Sequence, residues 1–198
     1  MSGKAKFKWF LIAPIVIALF VCINSPAISW AGELEDAEEQ VRQNPDDAVK
    51  YYNLGVAYKN KGEYQAAILN FNEAILLQRN DWTNPNYFDA YYSLGLTYWI
   101  IKQYQASIDS YKEAIRIRPD DADVHFDLGN SYWITKQYQD AIASYKEALR
   151  INPRHVRAKR NFYEGKQKLA DDERLVSEKQ VLEKEAQNSQ ALKLSEET

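Results

Sequence analysis

The chain has 198 residues, a formal charge of −3, fourteen tyrosines, and only seven glycines and six prolines. That length holds one domain of ordinary size with appendages, and the lack of a basic excess removes the global electrostatic reason to expect nucleic acid. Abundant Tyr with scarce Gly and Pro favours a helical, Tyr-packed body over a loop-rich or all-β one.

At the N-terminus Lys4, Lys6 and Lys8 precede an apolar run from Trp9 to Ile23, followed by the stretch NSPAISWAGE. A basic start, an apolar middle and then small residues form the layout of a secretory signal, with Ser29 and Ala31 at the cleavage positions. The run alone is shorter than the ~20 residues that span a bilayer. Extended through Trp30, it reads instead as a retained transmembrane anchor. Residues 1–31 are therefore a signal peptide or a membrane anchor. Both readings place residues 32–198 on the translocated side of a membrane (periplasm, organelle lumen or extracellular space), because positive charge precedes the run and acid follows it. Cys22 is the single cysteine and lies within this segment, so residues 32–198 carry no thiol or disulfide chemistry.

Leu34, Ala37 and Val41 form a short apolar stripe before Asn44-Pro45, which predicts an N-terminal capping helix within 32–47. A repeat follows. Leu94-Gly95 and Leu128-Gly129 are 34 residues apart, as are Trp99-Ile100 and Trp133-Ile134, Ala114 and Ala148, and Pro119 and Pro153. An earlier copy starts at Leu54-Gly55 and runs through Tyr58, Tyr64, Ala67, Phe71 and Ala74. Its Gly55 lies 40 residues before Gly95, so extra residues around NDWTNPNY predict a loop at 82–87, with Trp82 free to fold over a neighbour. Small residues at Gly55, Ala67 and Ala74 and their counterparts let paired helices approach, and the aromatics fill the space beside them.

This pattern resembles the tetratricopeptide repeat, a helix–turn–helix unit of 34 residues, in three copies at 48–81, 88–121 and 122–155. The resemblance implies an all-α fold, a right-handed α-solenoid in which neighbouring units bury each other's apolar faces. Ala158, Phe162, Gly165 and Leu169 then predict a C-terminal capping helix over 156–170. Residues 171–198 read as a charged helical extension that frays, or as a dimerising helix on the strength of Leu175 and Leu182.

Chemical motifs are few. The two histidines, His125 and His155, have no metal-site spacing around them, and no phosphate loop or nucleophile elbow is present. Asp46-Asp47 and Asp120-Asp121 fall at turns between repeats, where Asp caps the following helix. The expectation is a protein without catalytic residues, cofactor or metal. In the family it resembles, the first helix of each unit lines a concave groove. That implies a partner-binding surface of Tyr52 and Val56 from the first unit and Asp89, Tyr92, Leu96, Trp99 and Ile100 from the second. The third unit adds Asp123, Phe126, Asp127, Asn130, Trp133 and Ile134. A family variant that clamps a C-terminal carboxylate uses basic groove residues. The matching places here hold Tyr52, Val56, Ser93, Asp123 and Asp127, none of them basic. The implied activity is that of a scaffold holding an apolar, partly basic segment of a protein partner, in the assembly of a membrane or exported complex. The expected oligomeric state is a monomer; the alternatives are a self-associating structural protein using the groove or tail, and tryptophans that serve packing alone.

Overall fold

The computed structural model describes residues 26–78 and 85–196, and among these it contains helices and turns but no strand. The apolar run of residues 9–23 and the loop residue Trp82 lie outside the described residues. Among the described residues no helix is long and apolar enough to cross a membrane.

The helices fall into two compact units. The first, ending at Lys102, contains α1 (Pro26–Gln43), α2 (Ala48–Lys61), α3 (Tyr64–Gln78) and α4 (Pro85–Ile100). The second, beginning at Gln103, contains α5 (Tyr104–Ile117), α6 (Ala122–Ile134), α7 (Tyr138–Ile151) and α8 (Val156–Glu196). Three boundaries differ from the sequence expectation. Helix α1 starts at Pro26, inside the segment 1–31 read as signal or anchor and ahead of the capping helix expected within 32–47. Helix α4 already starts at Pro85, where the fixed φ of proline suits a first helical turn. No boundary falls at 170/171: residues 156–170 and the helical extension form one helix of 41 residues. Ion pairs at helical spacing support its exposed part, with Lys168–Asp172 at 2.6 Å and Arg174–Asp171 at 3.2 Å.

The helices begin and end for local reasons. Asp47 accepts a hydrogen bond from the Val49 amide at 2.9 Å, and Asp121 accepts from the Asp123 and Val124 amides at 3.1 and 3.2 Å. The acidic doublets are therefore caps. The first helix of each repeat closes on a left-handed residue: Gly62 (φ 85°), Lys102 (φ 64°) or Lys136 (φ 62°). In the first and third repeats the next amide reaches back five residues, from Glu63 to the Tyr58 carbonyl and from Gln137 to that of Tyr132, both at 2.9 Å. This is the Schellman closure, and glycine at Gly62 meets its left-handed requirement without the Cβ clash that the two lysines bear.

The repeated Leu-Gly has a direct packing role. A Cβ on Gly55 would lie 2.7 Å from the Phe71 ring of α3, and one on Gly129 would lie 2.5 Å from the Tyr145 ring of α7. Only glycine lets these rings, both essentially without solvent contact, lie against the first helix. In the first unit Ala67, Ile68, Phe71 and Leu94 form the core, flanked by Tyr98 and Ile101. Leu34 and Ala37 of α1 bury against Leu54 of α2, and the Tyr58 hydroxyl donates to Glu38 Oε1 at 2.7 Å. In the second unit the small residues Ser107 and Ser131 meet across α5 and α6 at 3.3 Å, and Ala141 and Ala148 are fully buried.

Candidate functional site

The expected surface residues divide between the two units, and their surroundings differ. In the first unit Tyr52 and Val56 of α2 are half-buried and pack against the core, with the Tyr52 ring 5.9 Å from that of Phe71. Val56 also lines a cleft of about 290 Å³ between α1 and α2, whose other walls include Glu33, Asp36, Asn53 and Asn60. On α4, Asp89, Tyr92 and Leu96 are half-buried, and Tyr92 stacks on Phe88 with centroids 6.0 Å apart. Trp99 and Ile100, at the end of α4, are 39% and 42% exposed, whereas their neighbour Tyr98 packs against the core. In the same repeat register the first repeat has Lys59, whose ammonium is held below the ordinary lysine range by partial burial.

The third repeat differs because α8 covers it. Phe126, expected on the open groove, is only 4% exposed. His155 lies 4.8 Å from its ring centroid, and the Arg157 guanidinium sits 4.9 Å over it. Asn130 Oδ1 accepts from the Tyr145 hydroxyl at 3.0 Å and from Asn161 Nδ2 of α8 at 3.1 Å. Trp133 is half-buried against Tyr138 at 5.0 Å, and a Cβ on Gly165 of α8 would come within 3.6 Å of its ring. Asp123 pairs with His155 Nε2 at 3.2 Å. Asp127 is half-buried, and Ile134, at 41% exposure, stays open to solvent. The expected floor of the third repeat is thus in large part the seat of the chain's own last helix.

The residues that build this seat are His155, Asn161 and Gly165. Gly165 belongs to the capping stripe legible in the sequence, and Ala158 of the same stripe is fully buried. The role of His155 was not legible there. Its backbone carbonyl accepts from Lys159, and its Nδ1 accepts from the Ala158 amide at 3.1 Å. An amide can only donate, so Nδ1 carries a lone pair and Nε2–H donates to Asp123. His155 is therefore the N-cap of α8 and its tie to α6. Burial pushes the Tyr145 hydroxyl up to about 12, within the same polar chain. The other histidine, His125, meets the Pro119 carbonyl at 2.9 Å and is buried. Among the described residues no group of three or more His, Cys, Asp or Glu is placed to hold a metal ion.

Helix hairpins closed by the same turn, with a glycine of the first helix against an aromatic ring of the second, define the class: an α-solenoid of helical repeats. The tetratricopeptide repeat pattern matches residues 43–81 and 122–155, and a related TPR repeat pattern matches 101–135. Residues 43–81 and 101–155 thus carry tetratricopeptide repeats, and such repeats support a protein–protein interaction scaffold. Among solved structures, MamA is 28% identical, with a TM-score of 0.63 over 70% of this chain and 79% of that one. A chain of the APC/C hetero-tetramer Cut9–Hcn1 is 26% identical, with a TM-score of 0.61 over 66% of this chain and 26% of that one. YrrB, described as a TPR protein with an unusual peptide-binding site, shares the fold at 22% identity and a TM-score of 0.56, over 65% of this chain and 63% of that one. No curated protein matches the chain.

Proposed function

We propose that the first unit holds the partner site and that Trp99 and Ile100 are its apolar anchors. The observation that carries this reading is the contrast between two equivalent pairs. Trp99 stays exposed at the end of α4, while Trp133 lies against Tyr138 and α8. A large exposed aromatic beside an exposed isoleucine is the kind of surface an interaction hot spot uses. Tyr92 and Leu96 of α4 and Val56 of α2 add apolar surface within the same unit, with Asp89 on α4 and with Glu33 and Asp36 of α1 beside Val56 as its acidic surround. The partner is accordingly a protein segment with apolar anchors and a few Lys or Arg. A peptide site in YrrB and a hetero-tetramer containing Cut9 are consistent with such use of the fold. With residues 1–31 as signal or anchor, the scaffold works on the translocated side of a membrane, in the assembly of a membrane or exported complex.

The test is site-specific photocrosslinking from position 100 in intact cells, with and without Trp99→Ala. A discrete adduct that disappears in the Trp99→Ala variant, while helicity and melting stay unchanged, is the expected outcome. Adducts that form equally from an unrelated exposed position such as Lys146 would refute the site. N-terminal sequencing of the exported chain decides between signal and anchor.

A further inference from the structure

The outward face of α3 breaks a pattern that the other two repeats keep at two of three positions, a lysine and an arginine one turn apart. At three exposed positions of the second helix, repeats two and three have Asp109, Lys112, Arg116 and Ala143, Lys146, Arg150. Their arginines pair along the helix, Arg116 with Glu113 at 2.9 Å and Arg150 with Glu147 at 2.6 Å. The first repeat keeps the acid as Glu73 but has Leu69, Asn72 and Leu76 at the three positions. Leu69 is 70% exposed and Leu76 53%. Every charge has been removed from this stripe, and two of the three residues are leucines facing solvent.

We propose that this face binds a second copy of the chain, with the two α3 helices antiparallel about a two-fold axis through Asn72. The stripe suits that arrangement. Leu69 and Leu76 lie nearly symmetrically about Asn72, about 10 Å apart along the helix at its standard rise. An antiparallel copy therefore sets each leucine on the partner's other leucine. A side chain on the axis meets its own duplicate. Lysine there would repel itself, as Lys112 or Lys146 would, whereas an asparagine amide both donates and accepts and so pairs with itself. A patch of two leucines per chain falls well short of the ~800 Å² per partner of a standard interface. The dimer is accordingly weak and fills where chains are concentrated. It involves neither Trp99 nor Ile100, so it leaves the partner site open.

Cysteine trapping in the full chain tests this, in a Cys22→Ala background and under mild oxidation. A disulfide requires Cα atoms about 4.4–6.8 Å apart, a condition met only near the axis. Asn72→Cys is expected to give a covalent dimer, while Lys112→Cys and Lys146→Cys, at the same register, stay monomeric. Adding Leu69→Asp and Leu76→Arg to Asn72→Cys is expected to cut the dimer yield at least tenfold. These are the residues the second repeat has at those positions, and an unchanged circular dichroism spectrum checks that the helix keeps its fold. Asn72→Cys remaining monomeric at near-millimolar protein overturns the proposal. So does equal cross-linking from all three positions, or a yield unaffected by the charged pair.

Discussion

Replacing His155 with alanine probes the seat of α8, and with it the reason the third repeat's floor is closed. The substitution removes three contacts at once. The Ala158 amide loses its cap acceptor (3.1 Å), Asp123 loses its Nε2–H donor (3.2 Å), and Phe126 loses the ring 4.8 Å from its own. A lost N-cap costs about 1 kcal/mol. The hydrogen bond to the exposed Asp123 carboxylate contributes about 0.5 kcal/mol, and the ring pair about 0.5–1.5 kcal/mol. Together these loosen the start of α8 by roughly 2–3 kcal/mol, which lowers amide protection there by roughly 30- to 150-fold. Hydrogen exchange read by mass spectrometry over 156–165 measures this directly. Collisional quenching of Trp133 by iodide should rise as the Gly165 turn lifts away. His155→Asn keeps an acceptor at the cap and should recover about 1 kcal/mol of the loss. Protection in the His155→Ala variant within about threefold of the native value would refute the reasoning, and α8 would then be held by its apolar face alone.

Two further expectations follow from the packing. Gly129→Ala adds a Cβ 2.5 Å from the Tyr145 ring, which is buried and fixed by its hydrogen bond to Asn130. Overpacking of about 1–3 kcal/mol then outweighs the helix-propensity gain of about 1 kcal/mol, so the melting temperature should fall by a few degrees in a calorimetric scan; a rise would contradict the close approach. The hydroxyls of Tyr58 and Tyr145 are both pushed up to about 12, the first by its hydrogen bond to Glu38 and the second by burial. A folded pKa above the unfolded value means the stabilisation is complete below pH ~10 and is lost as pH rises through ~12. Absorbance at 295 nm should therefore show two tyrosines ionising late, together with unfolding. Removing Glu38 (Glu38→Gln) should bring one of them forward; an unaltered titration would argue against the Tyr58–Glu38 bond.

The amino-acid sequence by itself determined the helix hairpins, because the evidence for them is local and repeated. Helical spacing, the acidic caps at Asp47 and Asp121, and glycines opposite aromatics are readable along the chain, and the structure shows each as a hydrogen bond or a close contact. The left-handed turns at Lys102 and Lys136 were not legible, since lysine carries no signal for that conformation as Gly62 does. Nor was exposure. Leu69 and Leu76 are apolar residues of an apolar helix, yet they face solvent, because the inward face is already supplied by Ala67, Phe71 and Ala74. The same limit governs the candidate site. Trp99 and Trp133 occupy one register position, and sequence treats them alike. What separates them is the surface that arrives from elsewhere in the chain: α8, seated by His155, Asn161 and Gly165, lies on the third repeat's Phe126, Asn130 and Trp133. Register fixes which way a side chain points, and only tertiary packing decides whether anything lies in front of it.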